Sequence, residues 1–520
     1  MSAELVLGVQ LALALAGAAL WAHESRARAA GSPRARRVRG AALAALGVLG
    51  LAAYPGFGRL HAGRALHIWD SYHYYLGAKY FAELGYDGLY ECTALADAEA
   101  GLRHDVATRT ITDLHTNLQI KTFDVLIHPE RCTDRFAAPR WAAFQRDVAW
   151  FRARVERETW HRMQRDHGYN ATPVWHLLGA QLANLGPASE LQLGCLAAID
   201  PLLLLLTLGL VAWAFGWRTA ALAALVLGTC YPARFYWTGG AFLRMDWLCA
   251  MVAGLCFLRK DRPLAGGAAL AYAAMLRLFP AALFAGPALA AASQLWRTRR
   301  LSPSLRRLFA GAALAAALLL PPALLVAGDG GRAFVDNTRK HADTPLTNHM
   351  GLPALLAYRP DGTVRALSAQ REHHRRTLWP RFMDARRAAA HAAWPALALA
   401  ALGCVLALVA AARQELWRSA ALSLCLVPAL LALTCYYYAF AVALAVLAER
   451  RPAVGAALLV WCASSLALAL GLEPRVGMDE AYVAQSALAV LGMIAVVALA
   501  LRRAPGAPGA PAGELTTRTS

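Results

Sequence analysis

The sequence predicts an all-α polytopic membrane protein, and three observations carry that prediction. Of the 520 residues, 58% are hydrophobic, above the usual share for a soluble domain. The apolar residues are gathered into runs of about 20, the length that crosses a bilayer as a helix. The arginines fall between those runs, as in Arg26–Arg39, Arg259–Arg262 and Arg297–Arg307. The net charge of +19 could otherwise suggest nucleic acid. No basic soluble domain is present to carry such binding, so no nucleic-acid partner is expected.

Taken in order, the candidate spans are 4–22, 40–57, 191–214, 219–236, 245–258, 264–276, 279–293, 308–327, 389–412, 419–434, 438–449, 453–472 and 482–501. The expected bundle therefore has about 11–13 transmembrane helices. Residues 1–22 lack a basic segment before the apolar run and read as a retained span. The turns 23–39, 215–218, 259–263, 294–307, 413–418, 450–452 and 502–503 are all basic. All of them land on one face, which is assigned to the cytoplasm. The N-terminus is then outside and the C-terminus inside. The Ala/Arg-rich composition suggests a bacterial source, and hence an inner membrane.

Two segments do not fit as ordinary spans. Residues 264–293 and 419–448 are each flanked by cytoplasmic signals, yet each is too short for two full spans. Hairpins of two short helices are expected, with breaks at Arg277–Pro280 and Cys435–Tyr438; one overlong helix is the alternative in each case. Pro280 supplies the first break by removing a helix donor. Backbone left at that depth is tolerable only beside protein or a water-filled cavity.

The chain divides into an extra N-terminal helix with its basic turn (1–39), a membrane domain (40–503) and a Pro/Gly/Ala-rich tail expected to be disordered (504–520). Two polar stretches face outside. The first, 58–190, holds 15 Lys/Arg against 16 Asp/Glu, so its length rather than its charge sets its side. A short helix at 70–84 and a charged helix at 138–166 are expected within it. The second, 328–388, holds 11 Lys/Arg against 6 Asp/Glu, an excess suited to an anionic partner at the membrane. Eight of the ten cysteines lie in or near apolar runs, where Cys behaves as a small hydrophobe. Cys92 and Cys132 lie in the first outer loop; a disulfide between them and two free thiols are both open readings.

The residues that could carry chemistry cluster at outer ends of spans. Asp70 sits just beyond the 40–57 run, within HIWDSYHYYLGAKYFAELGYDGLYE. A carboxylate near a bilayer surface is costly without a role or a partner. It can serve as a base toward a hydroxyl, or pair with Arg64 or Lys79. Arg277, in YAAMLRLFPAALF, lies in an otherwise apolar segment and needs an anion or a buried pair with Asp246 or Asp200. Its forked donors match phosphate oxygens. Arg244 and Asp246 form a second outer cluster and can pair with each other. Arg339, Lys340, His341 and His349 line the second outer stretch beside Asn348. Tyr436 and Tyr437 offer aromatic faces, either to a sugar or to an interfacial belt.

No CxxC pair, HExxH or phosphate-binding glycine loop is present, so no cofactor is expected. His67, Asp70 and His73 share a helix face, which is a weak metal signal, and no metal site is assigned.

The Asp70 segment resembles the start of the first extracytoplasmic loop in the GT-C superfamily of membrane glycosyltransferases. It is most similar to glycosyltransferase family 87, in which an Asp precedes a Tyr-rich short helix and a Gly-rich turn ending in Leu-Tyr. Here these are Asp70, Tyr74–Tyr75 and Gly85–Tyr90. The Arg277 segment is similar to the family's apolar hairpin, with a basic residue before an aromatic-Pro pair. Residues 334–352 are similar to a His-containing stretch followed by Asn and Gly-Leu. The resemblance implies a GT-C-like bundle with a large first extracytoplasmic loop. It also implies a polyprenyl-phosphate-linked sugar donor, mannose or pentose, and a lipid, glycan or protein acceptor, with membrane lipids around the chain. In that reading Asp70 is the base. Arg277, Arg339, Lys340, His341, His349 and Arg244 contact the donor phosphate or lipid. Tyr74, Tyr75, Asn348, Tyr436 and Tyr437 line the substrate. The rival readings are a glycosyltransferase of another GT-C family, a transporter of a lipid-linked substrate and a non-catalytic scaffold.

Overall fold

Arginine-flanked apolar runs become helices, and in a computed structural model helices account for nearly all regular structure. The structure describes residues 1–27, 32–369 and 378–502. The 504–520 tail, and residues 370–377 of the second outer stretch, lie outside the described residues. The described part is a multi-pass, all-α membrane protein with two small antiparallel strand pairs. Among the described residues, six helices are long and apolar enough to cross a membrane: Ala3–Arg26, Glu190–Phe215, Pro303–Ala327, Trp394–Ala411, Pro452–Arg475 and Met478–Leu501.

Other apolar segments form shorter helices, among them Trp217–Thr229, Pro263–Leu276, Leu416–Leu430 and Cys435–Glu449. At about 1.5 Å per residue, 14 helical residues rise only about 21 Å, against a hydrocarbon core of about 30 Å. Breaks and turns at the ends account for the shortfall. The first expected break falls at Arg277, whose extended backbone (φ −145°, ψ 131°) ends the Pro263–Leu276 helix. The second falls at Leu431–Thr434, slightly before the expected CYYY apex. There the chain leaves the helix to pair Leu433–Thr434 with His349–Met350.

Small residues let the helices approach closely, the usual solution where lipid gives no hydrophobic drive for association. A Cβ on Gly228 would meet the Gly50 carbonyl, which is how close the Pro33–Ala53 and Trp217–Thr229 helices lie. Gly267 and Leu308 set the same close approach between Pro263–Leu276 and Pro303–Ala327. Gln10 ties three helices together by donating to the Ala53 and Gly228 carbonyls, both at 2.9 Å.

The first outer stretch builds its own core. Tyr72, Tyr75, Tyr80, Phe144, Phe151 and Trp160 are buried in it. Asp97 is its charged centre. Arg109 pairs with it at 2.7 Å and Arg152 at 2.6 Å, while Trp160 Nε1 donates to it at 2.8 Å. Arg152 and Trp160 are eight residues apart and could not both reach one carboxylate from a straight helix. The expected 138–166 helix is accordingly two, Ala138–Arg152 and Arg157–Met163, with a bend between them. Lys79 pairs with Asp147 at 2.8 Å rather than with Asp70, and Arg64 donates to the Arg154 carbonyl. The expected 70–84 helix is a run of short pieces from Ile68 to Leu84, with a wide turn over Tyr72–Leu76. Cys92 and Cys132 are bonded to each other, fastening the Leu89–Asp97 helix to the Glu130–Thr133 turn.

Two outcomes follow from this outer core. Breaking the disulfide with Cys92→Ser and Cys132→Ser should cost about 2–4 kcal/mol, read as a lower thermal midpoint that reductant does not lower further. Asp97→Ala should cost about 3–5 kcal/mol, because it strands buried guanidinium charge; chemical denaturation of the detergent-solubilised protein measures it.

Candidate functional site

The site is assembled where three segments meet. The first is the Ile68–Ser71 turn. Its N-cap is His67, whose Nδ1 accepts the Asp70 N–H at 3.0 Å, so Asp70 stands in the first turn where a carboxylate is electrostatically favoured. The second is the loop leading to the Asp246–Arg259 helix. The Gly240 (φ 74°) carbonyl accepts the His67 N–H at 3.0 Å, and a Cβ there would collide with the Ala65 carbonyl. Two tryptophans cinch the same loop: Trp175 Nε1 donates to the Leu243 carbonyl at 2.8 Å and Trp247 Nε1 to that of Arg244 at 2.9 Å. Asp200, buried in the preceding helix, accepts the backbone N–H groups of Arg244 (3.0 Å) and Met245 (3.1 Å). The third segment is the Arg277 break and the facing Cys435–Phe440 turn.

Arg244 is aimed across these segments. Its Nε lies 3.3 Å from Asp70 Oδ2, and its guanidinium lies over the Tyr74 ring at 4.1 Å and the Tyr436 ring at 5.5 Å. It pairs with Asp70 rather than with its neighbour Asp246. The contact is ionic but poorly aligned: Arg244 Nε and Nη1 and Asp70 Oδ2 are buried without a hydrogen-bond partner among the described residues. Arg277 is equally enclosed. One Nη1 donates to its own neighbour, the Leu276 carbonyl, at 2.7 Å, while Nε and Nη2 have no hydrogen-bond partner among the described residues. Arg277 interacts electrostatically with Tyr437, Tyr74, Arg244 and Asp246. Asp200 is committed to the Arg244 loop and does not pair with it. Aromatic rings floor the cluster: Tyr437 is 4.6 Å from Tyr436, 5.3 Å from Phe279 and 5.9 Å from Trp247, and Tyr74 is 5.2 Å from Trp175.

Two guanidiniums brought together without matched acceptors repel each other and lose hydration. An anion between them would satisfy both, and arginine's fork suits a phosphate. A carboxylate at the edge of the same cluster can take a proton from a hydroxyl. The structure thus gathers Asp70, Arg244, Arg277, Tyr74, Tyr436 and Tyr437 into one site.

It does not gather the rest. The Arg339 side chain is 78% exposed and pairs with Asp336 at 3.7 Å on its own helix. Lys340 donates to the Leu114 carbonyl. Tyr75 points into the outer core, donating to the Gly186 carbonyl at 2.7 Å and accepting from Lys79. These three leave the predicted site because the Gly330–Ala342 helix and the outer core use them locally. Asn348 contributes its backbone, whose carbonyl accepts the Cys435 N–H at 3.0 Å. His341 and His349 join His167, a residue that sequence reasoning did not single out; the His167 and His341 rings are 6.0 Å apart. His67 and His73 spend ring nitrogens on the Tyr236 carbonyl, and on the Trp69 carbonyl and Tyr90 hydroxyl respectively. Among the described residues no group of three or more His, Cys, Asp or Glu is arranged to hold a metal ion.

Burial holds the three clustered imidazoles largely neutral: it lowers the pKa of His167, takes His341 to about 4 and His349 to about 3. Comparison with protein-family models, with curated proteins and with solved structures finds no match.

The Asp200 geometry predicts that Asp200→Ala, which leaves two buried backbone donors unsatisfied, costs about 1–3 kcal/mol in chemical denaturation. The histidines predict an acid sensitivity. Unfolded, they take up protons near pH 6.5; folded, they do so only at lower pH. Between about pH 6.5 and 4 the unfolded state therefore binds more protons, and stability falls as pH falls. A thermal midpoint measured from pH 7.5 to 4.5 should drop through that window, and less steeply in a His341→Gln, His349→Gln double variant.

Proposed function

We propose that this chain is an inverting, GT-C-like glycosyltransferase. It moves a mannose or pentose from a polyprenyl-phosphate donor to a hydroxyl of a lipid, glycan or protein acceptor, on the outer side of a bacterial inner membrane. One observation carries the reading: a carboxylate, Asp70, and two buried arginines with unmatched donors, Arg244 and Arg277, share one aromatic-lined site at the outer ends of apolar helices.

In this mechanism the acceptor oxygen attacks the sugar's anomeric carbon from the face opposite the phosphate. The new C–O bond forms as the bond to the phosphate oxygen breaks, and the electron pair leaves on that oxygen. The acceptor proton passes to Asp70. Arg277 and Arg244 meet the charge that grows on the leaving phosphate, where preorganised donors act most strongly. Arg244 touches both ends of the reaction, since it also lies against Asp70. Tyr436 and Tyr437 present rings to the sugar, and Tyr74 holds its place through a 2.6 Å hydrogen bond to Asn170. A lipid-linked donor also explains why the cations stand beside apolar surface: Leu278, next to Arg277, is 57% exposed.

The test is transfer of radiolabel from polyprenyl-phosphate mannose, and separately from polyprenyl-phosphate pentose, to a membrane lipid extract by purified protein. Wild type should form a labelled product. Asp70→Asn should lower kcat about 10²–10⁴-fold, while Arg277→Gln should lower kcat/KM for the donor. Transfer with neither donor would sink the reading. In that event, movement of intact donor across reconstituted vesicles would point to transport.

A further inference from the structure

Beside the arginine site lies a second polar cluster of a different character. We propose that His167, His341 and His349, with Trp379 and Asn117, form a binding site for a neutral saccharide, the part of the acceptor that delivers a hydroxyl to Asp70. The acceptor role rests on the transferase reading above; the saccharide site itself does not.

The geometry starts with hydrogen bonds that assign the tautomers. His341 Nδ1 lies 2.8 Å from the Asn337 carbonyl and must donate to it, so in the neutral ring Nε2 is a bare acceptor. That Nε2 is buried against the His167 backbone, without a well-formed hydrogen bond among the described residues. His349 is the converse. Its Nδ1 accepts the Leu346 N–H at 3.3 Å, so the neutral ring carries its proton on Nε2 as a donor. His167 Nδ1 and Asn117 Oδ1 are likewise buried without partners. Unmet acceptors and a donor thus sit within one cluster, the pattern that suits hydroxyls, each of which both donates and accepts.

An aromatic face completes it. The Trp379 ring is 5.9 Å from that of His167 and stacks on Phe382 at 5.5 Å; its Nε1 donates to the Asn117 carbonyl at 3.3 Å. Sugar C–H faces pack well on such rings. Charge argues against an anion here. Lys340, the nearest cation on the same helix, is tied to the Leu114 carbonyl, and Arg339 faces water. The imidazoles are kept neutral by burial.

Two connections join this cluster to Asp70. Trp69, next to Asp70, donates to Asp166, next to His167, at 2.6 Å. On the other side, His349 pairs across strands with Thr434, two residues before Tyr436. These links tie the histidine cluster to the two segments that carry the base and the aromatic floor.

The experiment is saturation-transfer NMR on the full chain in detergent, with methyl α-mannopyranoside and methyl β-xylopyranoside as probes and inorganic phosphate as the anionic control. At least one glycoside should bind saturably and resist competition by phosphate. Affinity should fall at least tenfold in both His341→Ala and Trp379→Ala, recover in part in His341→Gln and Trp379→Phe, and stay unchanged in Arg277→Gln. No saturable glycoside binding by wild type would overturn the proposal, as would binding indifferent to both alanine variants or displaced by phosphate. Glycoside binding with no sugar transfer from either donor would leave this site standing and remove the transferase reading; transfer without glycoside binding would do the reverse.

Discussion

The enclosure of Arg244 is the constraint on which the candidate site depends. A guanidinium this deep must be held by something stiffer than its own flexible stem. Asp200 holds the backbone on which it is mounted, Trp175 and Trp247 clamp the same loop, and Tyr74 and Asp70 receive the head group. Those five groups come from four segments, so the position of one arginine fixes the relative placement of four parts of the chain. Buried polar networks of this kind are costly when incomplete and rigid when filled. This one is incomplete, with donors on Arg244 and Arg277 facing each other's neighbourhood unmatched. Such an arrangement is more readily understood as a receptor for a charge than as a source of stability.

The membrane part and the outer part use opposite means to hold themselves together. Between helices the contacts are glycine against backbone, as at Gly50 and Gly228, and dispersion does the work. In the outer part a disulfide, a doubly paired Asp97 and a crowded set of tyrosines do it. The site lies at the junction, taking its cations from helix ends and its carboxylate from the outer domain.

Much of this was legible in the sequence. Asp70 and Arg277 stood out because a charge in or beside an apolar run is expensive, and both belong to the site. The break at Arg277 was legible from Pro280; the sequence left Cys92 and Cys132 open between a disulfide and two free thiols, and the fold brings them into bonding distance. What was not legible depends on side-chain direction. Arg339 and Lys340 sit two residues and one residue before His341, yet on a helix successive residues point about 100° apart: Arg339 faces water, Lys340 reaches the Leu114 carbonyl, and His341 faces His167. Tyr74 and Tyr75 divide in the same way, one toward Arg244 and one into the outer core. His167 carried no signal beyond its neighbour Asp166, because its partners lie more than 170 residues away in the chain. Of the thirteen apolar runs, six lie in helices long enough to cross a membrane among the described residues, and the breaks at Arg277 and Leu431 divide the two expected hairpins into shorter pieces.

The two-residue ladder between His349–Met350 and Leu433–Thr434 has a mechanical meaning. Those segments are more than eighty residues apart, and the second leads directly into Tyr436 and Tyr437. A hydrogen-bonded strand pair is stiff along its length, so it sets a fixed spacing between His349 and the turn that carries the tyrosine floor beside Arg244.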